Sequence, residues 1–194
     1  MLKVCVIGAG STYTPELIQG FLARLEEVPV SEICLFDIDA QRLALVGAFA
    51  QRLVKNSGLP IKISLTTDRR AALADAAYVI TQLRVGQMPA RREDEYLGRR
   101  HGLIGQETTG VGGMAKALRT VPVILEIAAD MRQLCPNAWL LNFTNPSGLV
   151  TEALNRYAPW LNAVGVCNSA YNAKIKISES LSALHGVTYF PHEC

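Results

Sequence analysis

The stretch Val4-Cys5-Val6-Ile7-Gly8-Ala9-Gly10-Ser11-Thr12-Tyr13-Thr14 sets an apolar run against a Gly-x-Gly turn and a helix start. Continuous rather than alternating apolarity, here from Leu2 to Ile7, is what a parallel strand buried on both faces requires. The glycines permit a tight turn at the strand's end. Thr14-Pro15-Glu16 then predicts a helix: Thr14 can cap it, Pro15 suits its first position, and Glu16 favours its positive end. The alternation continues outward. Further strands are predicted over residues 33–36, 61–65, 78–83, 139–143 and 163–166. Asp39 begins a helix over 40–56 with Gly58 as its stop, and Asp68 begins a short one through Ala74. A long helix is predicted over 113–134, where Pro122 should kink or restart it, followed by helices over 147–157 and 170–184. Strand and helix in strict turn imply right-handed crossovers and a doubly wound parallel sheet, an α/β fold of Rossmann-like type.

The composition agrees. Of 194 residues 49% are hydrophobic and 19% charged, enough for a substantial core. Nineteen Lys+Arg against seventeen Asp+Glu leave a net charge of +2, which excludes a strongly basic nucleic-acid binder and a disordered acidic tail. The apolar run before Gly8 is too short for a signal-peptide core, and no stretch reaches the roughly 18 to 20 residues of a membrane span. The five cysteines, Cys5, Cys34, Cys135, Cys167 and Cys194, are odd in number and widely spread. The expectation is reduced thiols in a cytoplasmic protein with neither nucleic acid nor membrane as partner.

Gly8 and Gly10 would let a pyrophosphate approach backbone N–H groups at the first helix's positive end, and Ser11 and Thr12 add hydroxyl donors. Tyr13 occupies the third motif position, normally glycine, and a bare Gly-x-Gly also suits any tight strand–helix turn. Asp37, at the end of the second strand, can accept the adenosine ribose hydroxyls and disfavour a 2′-phosphate, hence NAD rather than NADP. Alternatively Asp37 or Asp39 caps the next helix.

The middle of the chain holds more than a plain dehydrogenase fold needs. Arg84-Val85-Gly86 follows the fourth strand, and Arg91-Arg92-Glu93-Asp94-Glu95 comes soon after. Residues 102–113, Gly-Leu-Ile-Gly-Gln-Glu-Thr-Thr-Gly-Val-Gly-Gly, are too glycine-rich for a good helix and read as a loop. Asn142-Phe143-Thr144-Asn145-Pro146 ends the fifth strand and Val164-Gly165-Val166-Cys167-Asn168 the sixth. In an open α/β sheet these ends line the ligand crevice, so Arg, Glu, Asn and Cys should converge there.

Together with Gly8 to Leu17, these segments resemble glycoside hydrolase family 4, the NAD- and metal-dependent glycosidases, and within it the 6-phospho-β-glucosidases. That family does without the two-carboxylate pair of most glycosidases. The resemblance runs from residue 1 to about 170. It implies that Cys167 is a thiolate ligand of a catalytic divalent metal, usually manganese, and that Asn145 is a substrate ligand beside it. It makes Arg91 the sugar-phosphate contact, for which a bidentate guanidinium is apt, and Glu107 the acid supporting a catalytic tyrosine. Asn168 stands where α-specific relatives carry an Asp acid, which favours the β-specific branch. Residue by residue, plainer readings stand beside these. Cys167 suits a small buried hydrophobe, Asn145 an Asx turn before Pro146, Arg91 and Arg92 a solvated helix face, and Glu107 a cap for the glycine loop.

The implied chemistry hydrolyses a phosphorylated disaccharide or aryl glucoside through oxidation at C3. The carbonyl so formed, polarised by the metal, acidifies the C2–H, and the C1 aglycone leaves by elimination. The resemblance also implies a homo-oligomer for the full-length protein. Residues 1–168 are expected to form the NAD-binding domain, and 169–194 the start of a truncated C-terminal substrate and metal domain. The family's second metal ligand, a His in a Gly-Leu-Asn-His-like segment, and its later catalytic Tyr have no secure counterpart. Tyr189-Phe190-Pro191-His192 lies near that place without Gly-Leu-Asn. Two other readings are an NAD-dependent 2-hydroxy acid dehydrogenase, for which His101 is the sole catalytic candidate within the matched region, and a non-catalytic nucleotide-binding module. The expectation for residues 1–194 by themselves is weak NAD⁺ binding and no glycosidase activity. Spectrophotometric assay with a chromogenic 6-phospho-β-glucoside checks this, and turnover by this chain alone overturns it.

Overall fold

A computed structural model describes residues 2–193. Six strands form one parallel sheet in the order β3-β2-β1-β4-β5-β6: β1 (Leu2–Ile7), β2 (Val30–Phe36), β3 (Lys62–Thr66), β4 (Tyr78–Thr81), β5 (Trp139–Asn142) and β6 (Asn162–Gly165). The strand order reverses between β1 and β4, which is where a doubly wound sheet opens its ligand crevice. Register aligns Phe36, Ile7, Thr81, Asn142 and Gly165 in one row across the sheet, so the loops that follow them share one edge.

Helices α1 (Thr14–Ala23) and α2 (Ala40–Ser57) pack on each other over one face. There Val4, Val6, Ile33 and Leu35 meet Ile18, Leu43, Ala50 and Val54. The opposite face carries α3 (Arg69–Leu73), α5 (Gly110–Leu134) and α6 (Ser147–Tyr157), whose Leu73, Ile124, Ile127, Met131, Val150 and Leu154 bury Cys5, Ile7, Val79 and Leu140. Helix α4 (Gln87–Arg100) packs on α5, while α7 (Ser169–His185) packs chiefly against the short 3-10 turn η1 (Pro191–Glu193). No helix among the described residues is long and apolar enough to cross a membrane. Cys5, Cys34, Cys135 and Cys167 are free thiols, as expected; Cys194 lies outside the described residues.

Three local expectations are corrected. Helix α4, touched only by the solvated-face reading of Arg91 and Arg92, was not among the predicted helices because its buried face is Asp94 and Gly98, which gives no apolar periodicity to read. Helix α5 begins at Gly110, not at residue 113, and runs unbroken through Pro122, which faces solvent. Its glycines are packing devices: a Cβ on Gly112 would stand 2.1 Å from the Gln106 carbonyl oxygen and 2.7 Å from that of Asp94. Close backbone approach between α5, α4 and the preceding loop therefore outweighs the poor helix propensity of glycine. Thr14 is the third case. It is buried inside the first turn of α1 and Tyr13 takes the N-cap position, so Thr14 does not cap.

Two glycines in helices should respond oppositely to alanine. Gly112→Ala lowers stability by about 2 kcal/mol through forced overpacking, whereas Gly20→Ala in α1, with nothing within 4 Å of its new Cβ, raises it by up to about 1 kcal/mol. Urea unfolding midpoints of the two variants check both signs.

Candidate functional site

The turn after β1 is fastened to β2. The Gly8 and Ala9 N–H groups both donate to the Phe36 carbonyl, at 3.0 and 2.9 Å. Gly8 adopts φ +88°, and a Cβ there would lie 2.7 Å from Leu83 Cα, so only glycine serves. Thr14 Oγ1 donates to the Ala9 carbonyl at 2.8 Å and accepts from Gln82 Nε2 at 2.7 Å, riveting the turn from beneath. The Gly10 N–H donates to Asp37 Oδ2 at 2.8 Å, and Asp37 Oδ1 accepts from the Asp39 N–H at 2.9 Å. Helix α2 is capped by Asp39, whose Oδ1 accepts from the Gln41 and Arg42 N–H groups, so Asp37 is not a helix cap. Arg42 was not anticipated: its Nε and Nη2 donate to the Gly10 carbonyl at 3.2 and 2.9 Å. Ser11 Oγ accepts from the Tyr13 N–H at 3.2 Å, while Thr12 is exposed.

Beside this turn, the ends of β4 and β5 are stitched through Asn142, which is wholly buried. Its Oδ1 accepts from Thr81 Oγ1 at 2.9 Å and the Thr144 N–H at 3.2 Å, and its Nδ2 donates to the Thr144 carbonyl at 3.2 Å. Thr144 Oγ1 in turn accepts from the Leu83 N–H at 3.1 Å. This network shapes the loop that presents half-buried Asn145, joined by a cis peptide to Pro146. Phe143 meets Tyr13 edge to face, with centroids 5.6 Å apart.

Glu107 is the centre of the third cluster. Its Oε1 accepts from Arg84 and from Lys116, and its Oε2 pairs with Arg91 Nε at 3.0 Å. Arg91 Nε also reaches Glu95 Oε1 at 2.8 Å. Burial alone would raise the Glu107 carboxyl, but hydrogen bonds and charge from Lys116 and Arg84 outweigh it and hold the group below its ordinary 4.5. Lys116, only 2% exposed, moves down despite its carboxylate partner, because burial, together with Arg84 and Arg91, opposes a further positive charge. The hydrogen bond to Glu95 pushes Arg91 up. A second pair holds the frame: Arg119 grips buried Asp94 with both ends of its fork, at 3.1 and 2.6 Å, and its Nε donates to the Val85 carbonyl at 3.0 Å. The three cations against Glu107 and Glu95 leave one positive charge in excess, which suits an anion.

The end of β6 reaches the same edge, since the Val166 N–H donates to the Asn142 carbonyl at 2.9 Å. Cys167 follows, and it is exposed. Ser169 places its hydroxyl 3.3 Å and its N–H 3.5 Å from Sγ, and these hydrogen bonds lower the thiol's pKa. Burial does the opposite to the interior thiols, pushing Cys5 far up and Cys135 to about 11. The small-buried-hydrophobe reading thus describes Cys5 and Cys135 but not Cys167. Asn168 is exposed at the N-cap of α7 and its side chain makes no cap hydrogen bond. His101 is exposed at the end of α4; His185 and His192 lie against Tyr189 and Phe190. Among the described residues no group of three His, Cys, Asp or Glu side chains gathers to hold a metal, so Cys167 offers one ligand and not a closed site.

Because Glu107 titrates low in the folded chain, the stability it contributes is full above pH 4.5 and is lost as pH falls through its folded pKa. Glu107→Gln leaves Arg84, Arg91 and Lys116 facing one another and lowers stability at pH 7 by about 2–3 kcal/mol. The gap from the parent chain narrows below pH 4.5, as urea unfolding across pH will register.

Comparison with known proteins places this geometry. The model of the family 4 glycosyl hydrolases matches residues 3–183. A probable 6-phospho-beta-glucosidase of Bacillus subtilis (strain 168) is 53% identical over 182 residues, covering 93% of this chain and 41% of the relative. A solved 6-phospho-beta-glucosidase from Thermotoga maritima, with manganese, NAD⁺ and glucose 6-phosphate, is 41% identical at a TM-score of 0.87, over 94% of this chain and 44% of that one. A 6-phospho-alpha-glucosidase from gut microorganisms, in complex with NAD and Mn²⁺, is 39% identical at a TM-score of 0.86, over 96% and 42%. The chain thus spans about two fifths of the length of the relatives it matches. With its glycine turn, its Glu107 cluster and its exposed thiol arrayed along one sheet edge, the chain belongs to the family 4 glycosyl hydrolases.

Proposed function

We propose that this chain carries the NAD-binding and phosphate-recognising side of a 6-phospho-β-glucosidase. The observation that carries this reading is the meeting, at one end of one sheet, of a glycine turn tethered to Asp37 and a cationic cluster around Arg91. The residues present fit the dinucleotide. Gly8 and Gly10 admit a close approach at the strand-order reversal, and each Asp37 oxygen accepts one backbone N–H, with capacity for a ribose hydroxyl besides. Bound NAD⁺ supplies the hydride acceptor for oxidation at C3.

The chain's own side chains bind and orient. Arg91, fixed by Glu95 and Glu107, offers its guanidinium to the 6-phosphate, with Arg84 and Lys116 adding positive charge. Glu107, ionised beneath three cations, serves to hold charges in place and not to shuttle a proton. Asn145 takes a sugar hydroxyl, and Cys167, biased toward thiolate by Ser169, supplies one ligand to a divalent metal. Asn168 cannot act as an acid where an Asp would stand. That supports the β-specific branch, as does the greater identity to the probable 6-phospho-beta-glucosidase of Bacillus subtilis than to the 6-phospho-alpha-glucosidase. We place the enzyme in the cytoplasm as a homo-oligomer acting on phosphorylated disaccharides or aryl glucosides.

Isothermal titration tests this reading. NAD⁺ binds the chain, and glucose 6-phosphate binds with it. Arg91→Ala weakens the sugar phosphate about tenfold, the worth of a lost charge-assisted contact, and leaves NAD⁺ affinity within about twofold. Equal glucose 6-phosphate affinity in the Arg91 variant and the parent chain would overturn the phosphate assignment.

A further inference from the structure

Asp37 and Arg42 act on the two sides of one residue: the carboxylate accepts from the Gly10 N–H, and the guanidinium donates to the Gly10 carbonyl. A Cβ at Gly10 would stand 2.9 Å from both Asp37 Oδ2 and Arg42 Cβ, which measures how closely the two side chains flank the turn. We propose that Arg42 is the residue that would hold a 2′-phosphate, and that the Asp37–Arg42 pair, not Asp37 alone, sets the preference for NAD over NADP. This rests on the dinucleotide reading above.

Donor counting makes the role feasible. A guanidinium has five N–H donors, and Arg42 spends one from Nε and one from Nη2 on Gly10, so three remain for a phosphate without release of the turn. Asp39, whose carboxylate accepts from the Arg42 N–H, brings the charge around the turn to minus one. Removal of the Asp37 carboxylate takes that sum to zero, so a dianionic phosphate meets the free guanidinium donors without the repulsion that turned it away. Arg42 is an exposed residue of the first turn of α2, so the approach is from solvent. The sequence pattern alone shows the refusing acid; the accepting base is visible only through its bonds to Gly10.

The test measures NAD⁺ and NADP⁺ affinities of the chain by titration for the parent, Asp37→Ser, Arg42→Ala and the double variant, with thermal melts to confirm folding. Asp37→Ser is expected to raise the NADP⁺ to NAD⁺ affinity ratio about tenfold or more, and Arg42→Ala in that background to abolish the gain. In the parent background, where a misfolded Asp37 variant cannot intrude, Arg42→Ala lowers the same ratio about threefold. A folded Asp37→Ser chain with an unchanged ratio, or a double variant that keeps the gain, overturns the assignment. So does a parent-background ratio indifferent to Arg42. A parent chain that binds neither dinucleotide instead removes the cofactor reading on which the inference stands.

Discussion

Three cations from three different elements would repel one another at the mouth of the sheet were Glu107 not between them. Arg84 comes from the loop after β4, Arg91 from α4 and Lys116 from the buried side of α5. One carboxylate therefore decides whether α4 and α5 can close over the crevice with their charges inside. The arrangement is self-consistent because Asp94 and Arg119 join the same two helices a short distance away. The glycines at the start of α5 bring the backbones near enough for both pairs to form. Remove the central charge and buried Lys116 loses its carboxylate partner, while half-exposed Arg84 and Arg91 keep water, and Arg91 keeps Glu95.

Much of the fold was legible because its signals are backbone signals. Apolar runs without alternation specified a parallel sheet, and Asp39, Asp68 and Gly58 punctuate helices where the chain places them. Helix α4 escaped because a helix that buries an aspartate and a glycine presents no stripe of oil to detect. In the candidate site Asp37 stood out as an acid at a strand end beside the glycine turn, while Cys167 was singled out by the family resemblance and not by its spacing. The site was illegible where the partner is distant in sequence. Arg42 reaches Gly10 across 32 positions and Thr81 reaches Asn142 across 61, so neither pairing is written in any local pattern. Lys116 was hidden by its neighbours: a lysine inside an apolar helix looks like a solvent-facing interruption until its carboxylate is found.

The four described thiols show how little residue identity says by itself. Cys5 in β1 and Cys135 at the end of α5 lie in the core, where burial suppresses ionisation, and they behave as small apolar fillers. Cys167 follows Val166 out of the sheet and meets the hydroxyl and backbone N–H of Ser169. Position alone separates side chains whose ionisation burial suppresses from one whose ionisation hydrogen bonds favour.

Cys167 also stands on a seam. Ahead of it Val166 is bonded into the sheet; behind it α7 buries only Ser178, leaves Tyr171, Ile177 and Leu184 turned to water, and leans chiefly on η1. The sulfur is therefore aimed by a helix whose own footing on the sheet is slight. The thiol's bearing thus depends on α7 through Ser169, and not on the strand that ends beside it.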